Sequence, residues 1–289
     1  MKKRRRWINF FYVPAVVFMS LFVVWPLIKG FSVSFYQWNG YSARMKPVGF
    51  ENYVKLFSDR FFISSFWNTI LYGVGSCLLQ NVFGLLIAVF LNSKFKGRHI
   101  VRTIVYLPTM ISGLVMGYIM YFFVQYNHGI FNDLLKLFGV EPIDWLRDAN
   151  RGKLIITLIN SWQFVGGPMV IYIAGLQNIP QMYYDAAEID GASPRKRFFH
   201  VTVPLLLPAM STAVVTNLIG GLKLHDVIVA LTSGGPAQKT HSLSTYISYE
   251  YFTAEKAGYA SAIGIFLFAF IFVTSTLLNR FFHSREVEY

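Results

Sequence analysis

The chain has 289 residues, of which 54% are hydrophobic and 14% charged, against about 25% charged in an ordinary soluble domain. Twenty-eight phenylalanines add to an apolar load that a soluble fold of this size cannot bury, so the composition points to membrane embedding. The net charge of +12 sits in short clusters between apolar runs and no nucleic-acid-binding signature accompanies it, which excludes a nucleic-acid partner and reads instead as a topology signal.

In chain order, a basic cluster, Lys2 to Arg6, precedes an apolar run from Ile8 to Ile28. The run is long, contains Pro14 and Pro26, and lacks a small-residue cleavage pattern, so it is expected to be an uncleaved first span. About 20 apolar residues cross a bilayer as a helix. Uncharged runs of that length follow at Phe61–Leu91, Thr103–Tyr126, Leu154–Gln177, Val203–Leu222 and Ala257–Asn279. The second is overlong, which places its span at residues 67–91 with the start at or outside the interface. Helices satisfy their own backbone in lipid, so an all-α integral membrane fold with six transmembrane helices is predicted, as one domain over residues 1–289.

Lysine and arginine placement orients the chain. With the N-terminus inside, the inner segments carry Lys2 to Arg6, then Lys94, Lys96, Arg98 and Arg102, then Arg195 to Arg197, then Arg280 and Arg285. The remaining basic residues are spread over longer outer loops beside most of the acidic ones, so both termini are expected to be cytoplasmic. The outer loops, Gln37 to Arg60, Asn127 to Lys153 and Lys223 to Lys256, are each too short for a soluble domain. The middle one carries a small helical pattern at Phe131–Phe138, and the last contains the turn Ser233-Gly234-Gly235-Pro236.

The polar stretch between the fourth and fifth spans has a clear internal grammar. Gln181 to Asp190 reads as a short helix, with Ala186 and Ala187 small enough to admit another protein surface and Asp185, Glu188 and Asp190 offering charge to a basic groove. Gly191 fits a left-handed helix stop. Ser193-Pro194 reads as the cap and first turn of a second helix, and Pro204 and Pro208 mark the return to the membrane.

The pattern Asp185-Ala186-Ala187, Gly191, Val201 and Val203-Pro204 resembles the EAA loop of binding-protein-dependent ABC importer permeases, E-A-A-x3-G-x9-I-x-L-P. Spacing is matched in full, with Asp185 for Glu, Val201 for Ile and Val203 for Leu. The string Asp185 to Ser193 and the outer Leu231 to Pro236 are similar to the carbohydrate-uptake branch, which includes maltose, lactose, raffinose and glycerol-phosphate permeases. The resemblance implies a type I importer permease fold in a bacterial cell membrane. The loop over residues 181–203 would then be the cytoplasmic coupling element, with Asp185, Ala186, Ala187, Glu188, Asp190 and Gly191 docking onto an ATPase. It also implies a second homologous permease, an ATPase dimer that holds ATP and magnesium, and an extracellular solute-binding protein that delivers a sugar, expected to be an oligosaccharide. No G-x-x-x-x-G-K-[ST] phosphate loop occurs in the chain, so ATP hydrolysis is expected elsewhere and no cofactor in this subunit.

Within the fourth span, Gly166-Gly167-Pro168 predicts a kink, because Pro168 has no backbone donor. Asn160, Trp162 and Gln163 beside it, and Asn217 in the fifth span, are residue types that suit a sugar path: aromatic faces pack on C–H groups and amides bond hydroxyls. The competing reading of the same residues is helix packing, with amides bonding across helices. Asn68, Gln80 and Asn81 in the second span are read as packing. No acidic or basic residue falls inside the six runs, which weighs against the alternative of an ion-coupled secondary transporter working without an ATPase. No catalytic constellation and no metal-ligand spacing is found, and Cys77, the single cysteine, reads as a buried small hydrophobe.

Overall fold

The computed structural model describes residues 12–93 and 95–285; the basic cluster Lys2 to Arg6, the predicted start of the first span at Ile8, and Lys94 lie outside the described residues. The order is α1 (Tyr12–Val33), a hairpin of β1 (Tyr36–Gln37) and β2 (Lys46–Pro47), α2 (Glu51–Leu56), α3 (Arg60–Asn92), α4 (Arg98–Met110), α5 (Gly113–Val124) and α6 (Ile130–Leu137). There follow α7 (Ala149–Phe164), α8 (Gly166–Asn178), α9 (Gln181–Ile189), α10 (Pro194–Leu205), α11 (Leu207–Leu222), α12 (Asp226–Leu231), α13 (Leu243–Ser248) and α14 (Ala257–His283).

Three helices, α1, α3 and α14, are each long and apolar enough to cross a membrane, and three bent pairs bring the total to six if each pair is one span. The helix α1 continues past the predicted end at Ile28 to Val33, with Lys29 lying 5.3 Å over the Trp25 ring so that its stem adds no break. The overlong second run is one helix of 33 residues, about 50 Å at 1.5 Å per residue.

The third predicted span is not continuous: α4 and α5 meet at 100°. Ile111 is extended (ψ 138°), Pro108 has no donor for the preceding turn, and Ser112 restarts the helix by accepting the Val115 amide at its Oγ, 3.3 Å away. The predicted kink in the fourth span is present, with α7 and α8 bent by 42° around Val165. The fifth also departs from a single run, since α10 and α11 are bent by 68° at Leu206, where Pro208 leaves the Pro204 carbonyl without its helical partner.

The chain divides into two compact units. The first comprises residues up to Phe62 together with Tyr246–Ala269. In it Asn52 donates to the carbonyls of Ser34 (2.8 Å) and Tyr36 (3.1 Å), and the Gly258 amide donates to the Trp38 carbonyl (3.1 Å). A side chain at Gly258 would collide with the Tyr36 carbonyl, so glycine is required there by close approach. Asp59 Oδ2 accepts from the hydroxyls of Tyr246 and Tyr259, both at 2.7 Å. Burial pushes the Asp59 carboxyl up, but those hydroxyls and the amides of Phe61 and Phe62 outweigh it and hold it below the usual carboxylate range.

The second unit comprises Ile63–Thr245 and the residues from Phe270. One core joins Ala88 and Leu91 of α3, Met169, Tyr172 and Ile173 of α8, and Leu206 and Ala213 around α11. Another joins Tyr72, Met116, Ile156, Val227, Ile228 and Leu231. Helices α3 and α11 touch backbone to backbone where a side chain on Gly221 would sit 2.8 Å from the Gly73 Cα, the small-residue contact that packs helices in lipid. The loop after α12 is pinned to α3: Asn68 donates to the carbonyls of Lys239 (2.8 Å) and His241 (2.9 Å), and Tyr72 donates to the Thr240 carbonyl (2.9 Å). These bonds satisfy Asn68 and Tyr72, two of the polar side chains that the apolar run of α3 carries.

Candidate functional site: an exposed helix face and a cavity between helices

The segment after the fourth span folds as its residues demand. Helix α9 ends in a paired cap, with the Gly191 amide donating to the Glu188 carbonyl (3.0 Å) and the Ala192 amide to the Ala187 carbonyl (2.9 Å). Gly191 takes φ +70°, which glycine adopts without a side-chain penalty. Ser193 caps α10, accepting the Lys196 amide at 3.4 Å.

Tyr183 and Tyr184 of α9 pack against the core that holds Leu91 and Tyr172, and Tyr184 shares a hydrogen bond with Thr202 (3.1 Å). That fixes which side faces out. Met182, Asp185, Ala186 and Ile189, at i, i+3, i+4 and i+7, are all exposed. Met182 is 68% exposed and Ile189 87% exposed, and neither was marked by its position in the sequence pattern. Their signal was available in the helical spacing: both share a face with Asp185 and Ala186.

The candidate coupling residues do not all present themselves alike. Asp185 is exposed and takes the Gln181 amide at 3.1 Å. Glu188 is engaged within the chain, 2.9 Å from the Arg197 guanidinium. Asp190 and Gly191 are exposed at the elbow, and Ala187 is half-buried beneath it.

The second feature is a cavity of about 410 Å³ in the second unit. Gln80, Thr109, Asn160, Phe164, Thr216 and Asn217 line it, with Gly167 and Gly220 leaving room between the helices and Gly221, Lys223, His225 and Asp226 also in its wall. Two of the sequence candidates, Asn160 and Asn217, are thus brought together, and Gln80 joins them by donating to the Asn160 carbonyl at 3.1 Å. The Asn217 Nδ2 is buried without a hydrogen-bond partner, a donor whose desolvation is uncompensated in the protein alone. The other two candidates stand apart. Trp162 is 49% exposed and Gln163 fully buried, and neither lines the cavity. The Gln163 amide donates to the Ile111 carbonyl at 3.0 Å, at the break in the third span.

Chemically, the wall is mostly apolar, with Phe164, Leu224 and Val227 among its lining, and amides, hydroxyls and the charged groups of Lys223, His225 and Asp226 are set into it, a mixture that suits the C–H faces and hydroxyls of a hydroxylated ligand. Among the described residues there is no group of three or more His, Cys, Asp or Glu side chains placed to hold a metal ion.

Comparison with known proteins identifies the family and the fold. Residues 80–286 match the family described as binding-protein-dependent transport system inner membrane component. The chain is 34% identical over 282 residues to the probable ABC transporter permease protein YurN of Bacillus subtilis, covering 96% of each chain. It is 32% identical to the trehalose/maltose transport system permease protein MalF of Thermococcus litoralis, covering 90% of this chain and 88% of that one. The arabinooligosaccharides transport system permease protein AraP of Bacillus subtilis is 31% identical, with 92% and 85% covered. Among solved structures, a bacterial ABC transporter that imports the acidic polysaccharide alginate superposes with a TM-score of 0.84 at 24% identity, over 98% of this chain and 96% of that one.

Proposed function

The chain belongs to the family of inner membrane components of binding-protein-dependent transport systems, and from that premise we propose that it is a membrane-spanning permease subunit of an ATP-driven sugar importer. The observation that carries the reading is the exposed face of α9 behind a paired glycine cap, in a chain that has no phosphate loop of its own. The subunit is not itself an enzyme: a separate ATPase hydrolyses ATP, and a second permease and a solute-binding protein complete the assembly. ATP and magnesium belong on the ATPase.

In this reading the α9 face, with Asp185, Ala186 and the cap at Gly191, seats on the ATPase on the cytoplasmic side, and both termini are cytoplasmic. The cavity with Gln80, Asn160 and Asn217 is the sugar path, where the unpartnered Asn217 amide bonds a ligand hydroxyl. The relatives named for trehalose and maltose and for arabinooligosaccharides support an oligosaccharide as the cargo.

Affinity purification of the tagged chain from native membranes, followed by mass spectrometry, tests this. Recovery of an ATPase, a second six-span permease and a solute-binding protein is expected. Recovery of the chain alone, unchanged by the double substitution Asp185→Arg and Gly191→Pro, would contradict it.

A further inference from the structure

The breaks in the third and fourth spans are in contact. A side chain on Gly166 would lie 2.8 Å from the Tyr106 Cα and 2.9 Å from the Val105 carbonyl oxygen, so the start of α8 runs directly against the end of α4. Gln163 bridges the two breaks on its own. Its Nε2 donates to the Ile111 carbonyl at 3.0 Å, and its backbone carbonyl accepts from Thr109 Oγ1 at 3.0 Å. Ile111 is the extended residue at which α4 stops, so its carbonyl has left the helical ladder and needs an outside donor. The Gln163 side chain is completely buried, yet its Oε1 has no hydrogen-bond partner. A packing role alone would be met by Met or Leu of similar volume without an orphaned acceptor.

We propose that Gln163 is a positioning residue that ties the break in the third span to the break in the fourth, so that motion entering through the coupling helix changes the bend next to the cavity. The path is short and covalent at its start: α9 follows α8 after Ile179-Pro180, and α8 begins three residues beyond Gln163. Thr109, two residues before Ile111, lines the cavity. The unpartnered Oε1 leaves an acceptor that a second arrangement of the two breaks would pair, as a bistable element requires. The inference rests on the importer reading for its source of motion, and goes beyond it in assigning Gln163 a mechanical role.

The test uses the assembled transporter in lipid nanodiscs, with Cys77→Ser and spin labels attached through Ile104→Cys and Tyr118→Cys, on either side of the third-span break. The label-to-label distance is measured without nucleotide and with ATP and vanadate. The expected result is a nucleotide-dependent shift in the otherwise native protein that is lost in Gln163→Met, while ATP hydrolysis stays within about twofold because Met preserves volume. Thr109→Val, which removes only the reciprocal bond, is expected to reduce the shift partially, and it decides the matter if Gln163→Met fails to assemble. An unchanged shift in both variants, as a ligand-contact or simple packing role predicts, overturns the proposal. So does the absence of any shift in the native sequence. Hydrolysis by the co-purified ATPase reports separately on the importer reading, so failure of one is distinguished from failure of the other.

Discussion

The outward face of α9 and the paired breaks around Gln163 are both made of short helical pieces that stop abruptly, yet they are built in opposite ways. At the end of α9 the stop is satisfied locally, by the amides of Gly191 and Ala192, Ser193 caps the helix that follows, and the side chains on the outer face are left to solvent. At the break in the third span Ser112 restarts the helix locally, but the Ile111 carbonyl is met at long range, by the buried Gln163 side chain from the neighbouring span. If α9 receives the ATPase as proposed, its locally capped end holds its shape before the partner arrives. If the bend changes as proposed, a hydrogen bond between two spans can carry that change where a local cap cannot.

The difference predicts how each region breaks. The largest effect is expected from Gly191→Val. A β-branched residue at φ +70° is strained by about 1–3 kcal/mol, and the elbow that depends on it is displaced. Sugar uptake should fall about a hundredfold, with loss of the ATPase from the purified complex as the check. Next is Ile189→Asp, which leaves the α9 cap intact and changes only the exposed face. Affinity for the ATPase, read by titration of the detergent-solubilised permease pair, should weaken about tenfold, whereas thermal stability of the permease should not move.

On the cavity side, Asn217→Leu removes an uncompensated buried donor, so it should raise the melting temperature slightly while increasing the uptake KM about fivefold. ATPase binding should be unchanged, which separates the cavity from the coupling surface.

A smaller, pH-dependent effect is expected in the loop pinned to α3. His241 is buried, and burial lowers its pKa from 6.5 to about 4. Between those values the unfolded chain binds a proton that the folded chain does not, so the stabilisation is fully present above pH 6.5 and is lost as pH falls toward 4. Unfolding temperature should therefore decline over that window, and a His241→Gln variant should show a flatter profile. The smallest effect is expected from Glu188→Ala. Its partner Arg197 is partly exposed and the carboxylate 72% exposed, and such surface pairs are worth about 1 kcal/mol or less. Uptake within twofold of the native value would agree; a loss comparable with Gly191→Val would place Glu188 in the docking surface after all.

The same contrast governs what could be read from the sequence. Local stops carry local signals: Gly191, Ser193-Pro194 and the Gly166-Gly167-Pro168 kink each follow from the conformational limits of one or two residues. The apolar runs are equally legible because lipid demands length and uniformity. The 100° bend at Ile111-Ser112-Gly113 is only partly legible: Pro108 announces a weakened helix, but a full break with an extended Ile111 depends on the Gln163 donor from another span. Gln163 follows from the same gap. An amide in an apolar run announces only that it needs a partner, and here the partner exists because another span has bent. Met182 and Ile189 were missed for a different reason: apolar residues on a short helix are assumed to face inward until Tyr183 and Tyr184 are seen to occupy that side.

The most direct test of the central claim places a single cysteine on the exposed face, as Ile189→Cys in a Cys77→Ser background, and measures its labelling by a water-soluble maleimide in inside-out vesicles. Rapid labelling without the ATPase and strong protection when the ATPase is bound is the predicted result. Equal labelling in the two conditions, or reaction only in right-side-out vesicles, would contradict the assignment of α9 as the cytoplasmic coupling surface.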